Sequence, residues 1–272
     1  MPSILLWIMR FRRGWTIALC IAAACQGELI GEPRSVDPLS NGGSRSFAAP
    51  LPPVASDRSC PAERTVRVPA RSNIFGAGIN ELPAPAGGGG GVAPACVAVG
   101  DDVRSIRVAH VTGSISFVGP WFNRGGVAHR CAAGAEVANA SSDSDGVRTA
   151  TTCGWEPDGG TIDAAGVVSS ITSSDRVGYL VAVFLPDSPP VGPAPVGLTF
   201  DRNYDFVSLR PALAQVFFVG DGRTSDGSVQ RFRVPEGAAR VYLGIADAFA
   251  FRGLPGFYDD NSGSFLVKMV FG

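Results

Sequence analysis

Lysine is almost missing from this chain: Lys268 stands alone among 23 basic residues. A GC-rich coding bias gives the same pattern, so no function follows from it. A surplus of either charge is missing too, with a formal net charge of −1 and 17% charged residues. There is neither a basic patch nor an acidic tail, so nothing points to nucleic acid or to a strongly basic partner. Long helical periodicity is absent, and short apolar runs between turn clusters take its place. Chemical signatures are absent as well. No C-x-x-C offers thiolate pairs to a metal, and no G-x-S-x-G elbow presents a hydrolase nucleophile. The run Gly87 to Gly91 lacks the Gly-Lys-Ser/Thr end of a phosphate loop and reads as an exposed loop.

What is present is glycine and proline, 35 and 21 of 272 residues, which marks a loop-rich chain with many short segments. That pattern favours an all-β sandwich. Strand-like stretches are Thr65 to Ala70, Ile74-Phe75, Val103 to Val111, Phe206 to Arg210, Gln215 to Val219 and Val229 to Val234. Val177 to Leu185 is nearly all apolar and is expected to be a central buried strand. Ala132 to Ser174 is rich in Ser, Asp, Gly and Thr and reads as a long surface excursion. Tyr179, Phe184, Phe217, Phe218, Phe232 and Phe265 fall in strands and are expected in the core, while Trp121 and Trp155 fall in loop-like contexts.

The N-terminus reads as an export signal over residues 1–25. Arg10, Arg12 and Arg13 precede a short apolar run, Trp15 to Cys25. Two processing routes stay open. Ala22-Ala23-Ala24 offers an A-x-A cleavage site, and the same residues before Cys25 resemble a bacterial lipobox. Residues 26–58 have no apolar period and read as a linker, with one domain over 59–272. Localisation is then secreted or cell-surface (outer-membrane) lipoprotein, with membrane contact only through an N-terminal lipid. Cys60, Cys96, Cys131 and Cys153 remain after the signal, and an even number in an exported chain favours two disulfides. We expect Cys60–Cys96 and Cys131–Cys153.

The chain is organised around Arg240 to Phe271, which reads as strand, acidic loop, strand. The loop holds Asp247, Asp259, Asp260, Asn261 and Ser262 between turn-forming glycines and Pro255. Oxygen side chains on a bent backbone suit a hard cation such as calcium, and Asp and Asn are also ordinary turn residues. Both readings stay open on pattern alone.

The order VGYLVAVFL, FRVPEGA, the strand-ending Asp247 and PGFYDDNSGSF resembles the PA-IL-like family of bacterial calcium-dependent, galactose-binding lectins, mainly over residues 178–272. The resemblance implies a jelly-roll-like β-sandwich, galactose-binding-like, with calcium at one end. It implies that Asp247, Asp260 and Asn261 supply side-chain oxygens and that Phe257 and Phe117 supply backbone carbonyls. Sugar hydroxyls would complete the shell beside Asp247 and Asn261. The chain departs from the family pattern in having Asp260 where the family has Asn, and a longer loop, Ala248 to Gly256. Phe249, Phe251 and Arg252 of that loop either stack on a sugar or plug the site. His129 matches no family motif.

The function expected is calcium-dependent carbohydrate binding. The alternative is a structural cell-envelope module of the same fold that binds no sugar. Catalysis is not expected: His110 sits in a strand-like run, and the adjacent Asp259 and Asp260 do not suit the two-sided attack of glycoside hydrolysis.

Overall fold

Alternation decides which side chains become core. In Ser262–Phe271, Phe265, Val267 and Met269 are buried while Leu266 and Lys268 face out, as a strand with one wet face requires. The computed structural model describes residues 64–117, 141–148, 160–188 and 190–272. The expected signal and linker lie outside the described residues, as do Cys60, Cys131, Cys153, Trp121, His129 and Trp155.

The strands in chain order are β1 (Thr65–Pro69), β2 (Ala95–Ala98), β3 (Ser105–Ser116), β4 (Ser141–Ser142), β5 (Val147–Arg148), β6 (Gly160–Ile162), β7 (Ile171–Ser173) and β8 (Arg176–Val177). They continue with β9 (Leu180–Leu185), β10 (Leu198–Thr199), β11 (Ser208–Leu209), β12 (Phe217–Phe218), β13 (Arg231–Arg233), β14 (Arg240–Ile245) and β15 (Ser262–Phe271). One sheet runs β1-β15-β3-β13-β11 with β4 added on β3, and a second runs β12-β9-β14-β2. Smaller sheets are β10-β7-β6 and β5-β8. Ile106, Val108, Phe232 and Met269 of the first sheet and Phe184, Phe217, Val241 and Leu243 of the second line one apolar void. The two sheets therefore face each other, and the protein is an all-β sandwich.

The expected aromatic core is in place: all six of the named Tyr and Phe residues are buried. The apolar run at 177–185 divides at Gly178, whose φ of +67° breaks it into β8 and a fully buried β9. Three expectations need correction. Ile74-Phe75 is a 3-10 turn, because the Asn73 side chain accepts the Phe75 N–H (3.0 Å) and caps it. The stretch ending at Ser174 is not simply a surface excursion, since Ile162, Val168 and Ile171 are buried around β6 and β7. Polar neighbours hid those three apolar residues. The glycine run is only part-exposed, and it packs against the acidic loop.

Candidate metal centre

β14 ends at Ile245, and the chain leaves the sheet through Asp247, which is buried. Tyr258 fixes this exit. Its fully buried hydroxyl accepts the Asp247 N–H (3.1 Å) and donates to the Ile245 carbonyl (2.9 Å). Asp247 Oδ1 accepts the Ala248 N–H (2.8 Å), and Oδ2 accepts from Asn261 Nδ2 (2.7 Å). Burial pushes the Asp247 carboxyl well above the usual range; the Asn261 bond pulls it back, and the nearby Asp260 carboxylate raises it further.

Asn261 is 4% exposed, and its Nδ2 donates both to Asp247 and to the Ala70 carbonyl (3.2 Å). Both amide hydrogens are thus used, which fixes which end of the amide is oxygen. Asn261 Oδ1 is left buried with no hydrogen bond. An unsatisfied buried acceptor costs about 1–3 kcal/mol, so its retention needs a partner. Asp260 Oδ1 is buried as well.

The backbone candidates come from both sides. Phe257 has φ +68° and opens the 3-10 turn Tyr258–Asp260 that delivers Asp260 and Asn261. A bulky residue at positive φ is unfavourable unless its surroundings hold it there. Phe117 follows the end of β3, where Ser116 pairs with Ser262, the residue after Asn261. Asp247, Asp260 and Asn261 are thus brought together, and Phe257 and Phe117 flank them through the turn and the end of β3.

The longer loop does not push these residues apart. Ala248 bridges Pro255, and Gly256 donates to the Asp247 carbonyl (3.1 Å), so the insertion leaves and returns at neighbouring points. It is tied to β6 through Gly253, which donates to Thr161 and accepts from Asp163 (both 2.8 Å). Phe251 turns inward and meets the Phe117 ring edge-on at 5.0 Å. Phe249 is 64% exposed and rests on the Phe257 ring at 5.3 Å. Arg252 is exposed.

The side chains brought together, Asp247, Asp260 and Asn261, offer hard oxygens, two carboxylates and an amide. This suits calcium better than zinc, and among the described residues no three His, Cys, Asp or Glu side chains converge. Asp259 is turned to a different use, forming an ion pair with Arg71. Three parts of the site were not anticipated from the sequence: Tyr258, the Arg71–Asp259 pair and the glycine run. A tyrosine one residue into a turn was the only hint of the first. His110 lies exposed on β3, paired across the ladder with Lys268.

No family model matches the chain, and neither the curated proteins nor the solved structures contain a match to it.

Proposed function

We propose that this protein is an exported, non-catalytic, calcium-dependent carbohydrate-binding module of the galactose-binding type. The observation that carries the reading is the buried Asn261 Oδ1 without a donor, set beside the buried Asp247 carboxylate. One cation answers both needs, holding Asp247 ionised and giving the amide oxygen a partner. Asp260 and the carbonyls of Phe257 and Phe117 would complete the protein's share of the ligands. Calcium takes six to eight oxygens, which leaves room for two vicinal sugar hydroxyls next to Asp247 and Asn261. The exposed Phe249 supports the sugar reading, since its ring is free to meet the apolar face of a pyranose.

A second reading has one observation in its favour. Phe251 packs on Phe117 beside the site, as a residue serving only to close that end of the sandwich would. The protein is then a structural cell-envelope module whose calcium meets no sugar. Under either reading we propose export as a secreted protein or a surface lipoprotein, with disulfides Cys60–Cys96 and Cys131–Cys153.

The test is calorimetry and thermal melting of chelator-stripped protein, wild type and Asp247→Ala, with calcium and then galactose. Calcium binding that disappears in the variant, followed by heat on adding galactose, is the expected result. Calcium binding without a response to galactose or to a glycan array favours the structural module. No calcium binding by the wild type overturns the calcium site and the lectin reading, and leaves a structural module whose acidic loop is held by turns.

A further inference from the structure

The glycine run is the one motif that the proposed function leaves unused. It lies against the candidate metal loop, backbone to backbone. The carbonyls of Gly87, Gly88 and Gly89 accept the N–H groups of Phe257 (2.9 Å), Asp259 (3.2 Å) and Tyr258 (3.2 Å), respectively. Ala86 adds a bond to the Pro255 carbonyl (3.1 Å). Glycine is required here because the two backbones touch. A Cβ on Gly88 would sit 2.7 Å from Phe257 Cα, and one on Gly89 would sit 2.0 Å from Asp259 Oδ2. Both also have φ values that disfavour other residues, +67° and +83°. The run is anchored to the sandwich in turn. The fully buried Asn73 donates through Nδ2 to the carbonyls of Pro83 (2.8 Å) and Gly90 (3.1 Å), closing the segment at both ends. The Asn73 backbone bridges Ile245, two residues before Asp247.

We propose that Gly87–Gly91 is a positioning strap for calcium: it holds Phe257 in its left-handed conformation and pre-sets the turn that presents Asp260 and Asn261. This rests on the calcium reading. The strap touches no ligand oxygen; it acts through the three N–H groups it captures. A loop already ordered before the ion arrives loses less freedom on binding, so the strap raises affinity.

The test combines calcium titration with amide hydrogen exchange on the full chain. In chelated wild-type protein the amides of Phe257, Tyr258 and Asp259 should be protected, and calcium should slow their exchange further. Gly88→Ala should lose that protection and bind calcium about ten-fold or more weakly, the range seen when outer partners of metal ligands are removed. Gly227→Ala, in the Asp221 to Ser228 hairpin and outside the strap, is the control. It carries the same kind of backbone strain, at φ +85°, and its Cβ meets nothing within 4 Å. It should therefore keep near-wild-type affinity. Unchanged protection in β14 and β15 shows that a variant is folded; Gly89→Ala replaces Gly88→Ala if that variant is not.

Three freely exchanging amides in the chelated wild type overturn the strap. So does wild-type calcium affinity in a folded Gly88→Ala protein whose amides have lost protection. Those failures leave the calcium reading standing. A wild-type chain that binds no calcium, with the amides still protected, overturns the calcium reading and the strap's role in it together.

Discussion

Two regions of this molecule are alike in composition and opposite in chemistry. The hairpin turn Asp221 to Ser228 and the loop Asp247 to Ser262 are both rich in Asp, Ser and Gly. In the hairpin every carboxylate described has nearby donors. Asp226 accepts from the Thr224 hydroxyl and the Ser228 N–H (3.0 Å), Asp221 accepts the Arg223 N–H (2.8 Å), and the neighbouring Asp205 accepts from the Ser225 N–H (2.6 Å) and hydroxyl (2.7 Å). Hydrogen bonds to Ser225 and Thr224 hold the exposed Asp205 and Asp226 below the usual carboxylate range. At the other loop, burial dominates and Asp247 is pushed up. Local turn chemistry satisfies the first cluster by itself. The second is walled in by Tyr258 and Phe251, with an acceptor left over. Acidic residues alone do not separate the two; the balance between burial and available donors does.

The largest contrast should come from removing one charge in each region. Asp247→Asn should abolish the rise in melting temperature that calcium gives, and should lower the stability of the chelated protein by about 1–3 kcal/mol, because the amide NH2 must face either the Ala248 N–H or the Asn261 Nδ2 donor that a carboxyl oxygen now accepts from. Asp226→Asn should leave calcium affinity unchanged. Equal calcium responses in the two variants would remove the distinction. A middle-sized effect is expected from Tyr258→Phe. Loss of the hydroxyl strips the Asp247 N–H and the Ile245 carbonyl of their partner, and should lower stability by about 1–3 kcal/mol. Chemical denaturation with and without calcium measures it. A stability equal to wild type would mean that the hydroxyl is not what fixes the exit from β14.

The smallest effect is in pH dependence, and the two regions should have opposite signs. Asp247 is raised, so the native state holds its proton to higher pH than the unfolded chain. In chelated protein its contribution is therefore present at acid pH and is lost as pH rises from the ordinary value of 3.8 through the raised one. Asp205 and Asp226 are lowered. Their contribution is present above 3.8 and is lost as pH falls below it. Melting curves across acid pH, compared between wild type and Asp247→Asn, isolate the first slope, and calcium should flatten it. A wild-type slope that survives in the variant would assign it to another group.

Much of the sandwich could be read directly from residue order. The alternation in β15 and β1, and the unbroken apolar run of β9, each state which face is buried. The Asp-Asn-Ser-Gly sequence at 260–263 likewise marks where β15 begins and where the candidate ligands cluster. What escaped has a common physical cause. The glycine strap acts through main-chain carbonyls, and a run of five glycines carries no side-chain pattern to announce a partner. Ile74 and Phe75 have strand propensity, yet a single capping bond from Asn73 decides their conformation. Phe249 and Phe251 are the same residue type two positions apart; one is exposed and one buried, because the φ of +55° at Phe251 turns the chain between them.

The pairing of β1 with β15 has a consequence for how the protein comes into being. Asn261 Nδ2 reaches the carbonyl of Ala70, 191 residues earlier, so the candidate site is assembled from both ends of the folded unit. Contacts this distant in sequence form late and slowly, because the intervening chain must first be brought to order. A growing chain has no such site until β15 is in place. Under the calcium reading, competence to hold an ion at Asp247 is then a marker of completed folding, arriving only once β15 has paired with β1 and β3.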